Sequence, residues 1–131
     1  RFGAAGWQVW IAGSKKDAPA GDDIVRHADG QCINLCGKTS LAEAIDLMSC
    51  ASHVVSNDSG LMHVAAALDR PLTAIYGSSS PAFTPPPSAH ARVVRTGIEC
   101  SPCFKRECPL GHFKCMRDLD VDKVWQEIAA R

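Results

Sequence analysis

Neither sign of charge is in excess: 14 Lys and Arg are matched by 14 Asp and Glu, for a formal net charge of zero. A nucleic-acid partner demands a basic footprint, so that class of function has no electrostatic support. No apolar run approaches the roughly 20 residues needed to span a bilayer, and no signal peptide is visible. Walker A, strand-linked G-x-G-x-x-G and H-E-x-x-H motifs are all lacking. Their absence weakens ATPase, dehydrogenase and metalloprotease readings. There is no internal repeat, no low-complexity tract and no dividing linker. A chain of 131 residues fits one domain with a real core. Because it opens on Arg1 rather than Met, it reads as truncated at its N-terminus.

Cysteine is the one residue present in surplus. Seven is an odd number, and odd counts argue against an extracellular disulfide framework. Cys32, Cys36 and Cys50 sit inside apolar segments, where a free thiol behaves as a small core residue. A reducing cytoplasm is the simpler inference. The other four form Cys100-x2-Cys103-x4-Cys108-x6-Cys115 with His112 between them, a candidate structural zinc set by count and type. The second pair lacks the tight C-x2-C spacing, so reduced thiols are the competing reading.

Strand and helix patterns alternate along the chain. Residues 7–13 read as a strand, 22–28 as a short helix and 32–36 as a second strand. Ser40 and Glu43 form an S-x-x-E capping box that opens a helix to about Cys50, with Leu41, Ala44, Ile45 and Met48 inward. Residues 72–76 and 91–95 read as the fourth and fifth strands, separated by a proline-rich ordered loop over 78–90. Asp120 caps a last helix with Val121, Val124, Trp125 and Ile128 on its apolar face. The alternation predicts an α/β fold, a Rossmann-like parallel sheet with helices on both faces. In such sheets ligands bind at the carboxyl ends of the strands. Four loops qualify, at residues 13–17, 37–39, 57–60 and 77–80, each carrying Gly with hydroxyl or charged residues.

The third of these loops organises the rest. Residues 53–56 read as a buried strand and run into Asn57, Asp58, Ser59 and Gly60, after which Leu61, Val64, Ala65 and Leu68 follow helical spacing. A sharp strand-to-helix turn presents free N–H groups and a positive helix end, which suits a phosphate. Gly60 lets a ligand approach the backbone, the Ser59 hydroxyl can donate to a phosphate oxygen, and His63 lies four residues on, so it can face the same ligand. The Asp58 carboxylate repels phosphate but can accept hydroxyl hydrogen bonds from a sugar. Read structurally, Asp58 or Ser59 is only a helix cap and His63 a surface residue.

Asp58-Ser59-Gly60-Leu61-Met62-His63, continuing through Ala65-Ala66-Ala67-Leu68-Asp69-Arg70-Pro71 to Tyr76-Gly77-Ser78-Ser79-Ser80-Pro81, resembles the lipopolysaccharide heptosyltransferases of glycosyltransferase family 9. The resemblance runs through nearly the whole chain. It implies that residues 1–131 are the C-terminal, nucleotide-sugar-binding half of a GT-B enzyme whose N-terminal acceptor domain is absent. It implies inverting transfer of heptose from ADP-L-glycero-β-D-manno-heptose to the inner-core heptose of lipopolysaccharide. The general base would then lie in the absent domain, leaving the isolated chain inactive.

The substrate-binding residues implied are Asp58 on the donor sugar, then Ser59, Gly60, Leu61 and His63 at the diphosphate. Lys38 and Thr39 would approach the adenine, with Gly13 and Asp17 (or Asp22) in the loop of the ribose contact. His63 is the catalytic candidate, stabilising the leaving group. No cofactor is required beyond the candidate structural zinc. The expected location is cytoplasmic, with peripheral association at the inner face of the inner membrane. Two rivals remain: a related glycosyltransferase using another nucleotide sugar, and a non-catalytic thiol or zinc interaction module.

Overall fold

A computed structural model describes residues 1–130. The chain folds into two compact units, residues 1–47 and residue 48 onward.

In the first unit a 3-10 turn, Gly3–Ala5, stops at Gly6, whose φ of 82° is left-handed. Then come β1 (Val9–Ile11), α1 (Ala18–His27) and β2 (Cys32–Asn34), with β1 and β2 parallel and Val9 opposite Cys32. Helix α1 begins four residues before its expected start. Pro19 occupies its first turn, where a missing N–H costs nothing and the fixed φ suits the helix. Buried Asn34 ties this helix to the strand: its Nδ2 donates to Ala18 O (3.0 Å) and Asp22 Oδ1 (2.7 Å), and its Oδ1 accepts from Cys36 N (3.0 Å). Gly21 has to be glycine, because a Cβ there would stand 2.4 Å from the Asn34 side chain. Cys32 and Cys36 are buried as expected, whereas Cys50 is exposed.

The Ser40–Glu43 box opens α2 (Leu41–Cys50), with Glu43 N donating to Ser40 Oγ and Ser40 N to Glu43 Oε1, both at 3.1 Å. Hydrogen bonding from Ser40, its backbone N–H first and its side chain second, holds the Glu43 carboxyl below its ordinary pKa. Ser40→Ala should lower stability by about 1 kcal/mol; an unchanged thermal midpoint would show the cap to be idle. Leu41, expected inward, is exposed because the first turn faces away from the packed side.

The second unit holds a three-stranded parallel sheet in the order β3-β4-β5. Its elements are β3 (Val54–Asn57), α3 (Gly60–Ala67), β4 (Leu72–Ile75), β5 (Ala91–Val94), α4 (Lys114–Arg117) and α5 (Val121–Ala129). Central β4 pairs Leu72 with Val54 on one side and Ala91 on the other. Leu72, Thr73 and Ala74 are wholly buried, and with Met62, Ala65, Ala66 and Tyr76 they make the core. Strand β3 is half-buried rather than buried, with Val55 turned outward. The apolar face of α3 runs through Met62, Ala65 and Ala66, rotated about one position from the expected Leu61–Val64–Ala65–Leu68 stripe. Asp120 caps α5 by accepting from Asp122 N at 2.8 Å, and Ile128 is its buried anchor. Val121 is exposed, again a first-turn residue.

Candidate functional site

The site begins where β3 leaves its sheet. Asp58 N donates to Ile75 O at 3.2 Å, so the turn stays fastened to the carboxyl end of β4. Ser59 is fully extended (φ −155°, ψ 169°), and α3 starts at the next residue. No side chain caps this helix; the Ser59 hydroxyl stands 3.3 Å from Ser56 Oγ instead. A Cβ built on Gly60 meets nothing within 4 Å. Packing therefore does not require glycine at this position, and the space in front of the helix end is open to a ligand.

Asp58 is held from two sides. Thr84 Oγ1 donates to its Oδ2 at 2.9 Å, and His63 Nε2 stands 3.9 Å from its Oδ1. Its side chain is only 18 % exposed. Thr84 is itself placed by Tyr76, whose buried hydroxyl donates to the Thr84 carbonyl. Burial pushes the Tyr76 phenol up, and the nearby Asp58 charge adds to the rise. The carboxylate therefore sits in a fixed orientation, set by a loop residue 26 positions away. Tyr76→Phe should cost about 1–2 kcal/mol, because the Thr84 carbonyl loses its donor; an unaltered melting curve would contradict this link.

Asp58 also lines a cavity of about 240 Å³ together with Asn57, Ser78 and Ser79 at the carboxyl ends of β3 and β4. The cysteine-rich segment supplies most of the rest of the lining, which includes Lys105, Arg106 and His112. Sequence reasoning missed this wall and missed Thr84. Nothing in the local pattern marks a contact made across so many residues.

Cys100, Cys103, Cys108 and Cys115 line the same cavity as free thiols. Backbone N–H groups, that of Phe113 foremost, hold the Cys108 thiol below its usual pKa. Burial, followed by the neighbouring thiols, raises that of Cys115. The donor type suits zinc, but among the described residues no three His, Cys, Asp or Glu side chains are placed to share an ion. The four stand as free thiols, and no chemical step is routed through a metal. If the four thiols close around zinc, a chelator should lower the melting temperature and added zinc restore it; an unchanged melting curve with no metal by elemental analysis would leave them as reduced thiols.

The other sequence-derived residues lie in the first unit. Asp17 Oδ2 accepts from both the N–H (2.8 Å) and hydroxyl (2.9 Å) of Ser14, which holds its carboxyl below 3.8, the hydroxyl contributing most. Gly13 packs against Asp17 and Cys36, since a Cβ there would fall 2.9 Å from the Asp17 side chain. Gly13 O accepts from Gly37 N at 3.0 Å, and Lys38 N bonds Leu35 O at 3.0 Å. The loops that carry Gly13, Asp17, Lys38 and Thr39 are thus fastened to each other. Asp22 is engaged with Asn34. Because the Asp17 carboxyl is depressed in the folded state, its stabilisation is complete above pH 3.8 and disappears as pH falls through the folded value.

Residues 1–114 match the family described as glycosyltransferase family 9 (heptosyltransferase). Over 127 residues the chain is 43% identical to lipopolysaccharide heptosyltransferase 2 of Salmonella typhimurium, covering 94% of this chain and 36% of that protein. It is 49% identical over 94 residues to lipooligosaccharide heptosyltransferase 2 of Haemophilus influenzae, covering 69% of this chain and 27% of the relative. The solved E. coli ADP-heptose lps heptosyltransferase II superposes with a TM-score of 0.82 at 42% identity, covering 97% of this chain and 37% of that one. A family 9 glycosyl transferase from Veillonella parvula gives a TM-score of 0.66 at 32% identity, over 71% of this chain and 27% of that one. The chain therefore spans about a third of the length of the curated relatives it matches most fully. By family match, by sequence and by fold, the chain belongs to glycosyltransferase family 9, the heptosyltransferases.

Proposed function

We propose that this chain is the donor-binding half of a two-domain GT-B heptosyltransferase. The enzyme would move heptose from ADP-L-glycero-β-D-manno-heptose to the inner-core heptose of lipopolysaccharide, with inversion at the anomeric carbon. The observation that carries the reading is the uncapped end of α3, open at Gly60 and standing beside the Asp58–His63 pair. When the glycosidic bond to ADP breaks, negative charge grows on the departing diphosphate. Backbone N–H groups and the positive helix end stabilise that charge where they already point. A His63 imidazole carrying a proton adds a hydrogen bond that strengthens as the charge develops. Asp58, fixed by Thr84, is suited to accept hydroxyl hydrogen bonds from the sugar and so hold its ring for in-line attack.

The base that activates the acceptor hydroxyl belongs, on this reading, to the acceptor domain. Such an enzyme would work in the cytoplasm, at the inner face of the inner membrane, where its lipid-anchored acceptor lies. Calorimetric titration of the 131-residue chain with ADP tests the reading. Binding of ADP without any heptose transfer is expected. Transfer by this chain alone, or no affinity for ADP, would overturn it.

A further inference from the structure

The cavity facing Asp58 has a wall for which the sugar-binding reading has no use. Residues 101–104 are fastened to the end of β4 by main-chain acceptors: the Ser101 hydroxyl donates to Gly77 O, and Phe104 N donates to Ser78 O at 2.7 Å. Phe104 takes a left-handed φ of 58°, and its ring meets Phe83 edge-on at 5.2 Å. The chain is thus pinned and turned just before Lys105 and Arg106, which line the same cavity as Asp58, Ser78 and Ser79. Both cations are exposed, and neither takes part in a salt bridge among the described residues. His112 stands on the same wall. Two full positive charges against one carboxylate make this end of the cavity anion-seeking, and the neighbouring Ser78 and Ser79 hydroxyls can donate to the same oxygens.

We propose that Lys105 and Arg106 form a phosphate-binding subsite that holds an anionic group of the saccharide ligand engaged by Asp58. The assignment rests on the donor-binding reading for its biological source and on the cavity alone for its chemistry. A phosphate here would share the cavity with the Asp58 carboxylate. Arg106 offers a planar fork to two oxygens and Lys105 a point charge to a third. Two sources share that chemistry: the diphosphate of the nucleotide sugar and a phosphate carried by the acceptor saccharide.

Inorganic pyrophosphate is the probe, titrated calorimetrically into the 131-residue chain at low and moderate salt. Wild-type protein should bind it with an affinity that falls as salt rises. Lys105→Ala/Arg106→Ala should weaken binding by at least tenfold, whereas Arg92→Ala/Lys123→Ala, which removes two charges away from the cavity, should change it by less than twofold. Absence of pyrophosphate binding, or equal losses in the two double variants, would overturn the subsite. Two further titrations, with ADP and with deacylated lipopolysaccharide core oligosaccharide, assign the source. A tenfold loss for ADP places the donor diphosphate there, and a loss confined to the oligosaccharide places an acceptor phosphate there. Failure of wild-type protein to bind ADP would sink the donor-binding reading instead, and the pyrophosphate result would stand independently of it.

Discussion

Asp58→Ala is expected to lower heptose transfer by the two-domain enzyme at least tenfold while leaving ADP affinity within about twofold. A tenfold loss corresponds to about 1.4 kcal/mol of barrier. The split between rate and nucleotide affinity is the informative part. Asp58 lines the cavity and is held by Thr84, whereas the helix end at Gly60 offers backbone N–H groups that the substitution leaves in place. On the proposed reading, removing the carboxylate would free the sugar ring but not the diphosphate. Gly60→Val should damage both, because a branched side chain would fill the space that is now empty. His63→Ala should resemble Asp58→Ala in rate, since its contribution grows only as the leaving group gains charge. Thr84 loses a partner in the Asp58 variant, so an intact melting transition has to accompany the rate measurement. Normal turnover by well-folded Asp58→Ala and His63→Ala proteins would reduce this turn to scaffold.

Leu72→Ala is expected to produce the largest change in stability, about 2–5 kcal/mol. Leu72 is wholly buried at the head of the central strand, with β3 paired on one side and β5 on the other. Truncation leaves a void that two hydrogen-bonded neighbours prevent from collapsing. Domains of this size have about 5–15 kcal/mol in total, so one substitution removes a large fraction. Chemical denaturation should show a lower midpoint with little change in slope. A midpoint close to wild type would mean that the core relaxes around the gap.

Contacts within a turn were legible in the sequence; contacts across it were not. The Ser40–Glu43 box and the Asp120 cap join residues two or three positions apart, and spacing alone dictates that they meet. The sequence also marked β4 as a strand. Periodicity gave less for α3, because three consecutive alanines flatten the contrast between its faces, so the buried side settled on Met62 and Ala66. Leu41 and Val121 misled in the same way: each sits in a first helical turn, which projects beyond the packed surface. At the candidate site, the Asp58 turn was readable because strand, turn and helix are adjacent in sequence. Its partner Thr84 and the Lys105–Arg106 wall were not. They arrive through a proline-rich loop and a segment with little regular structure, whose position depends on backbone bonds to Gly77 and Ser78.

Those bonds have a consequence for how such an enzyme can diversify. The acceptors at Gly77 and Ser78 are carbonyl oxygens, and one of the two donors is a main-chain N–H, so the attachment asks for one side chain only, a hydroxyl at position 101. A segment moored in this way can be transplanted. Replacing residues 100–113 with the equivalent stretch of a relative keeps the sheet, the Asp58 turn and the helix end untouched while refitting the facing wall with different charge and bulk. Ligand preference can then drift by exchange of one cassette, without the core having to be repacked each time.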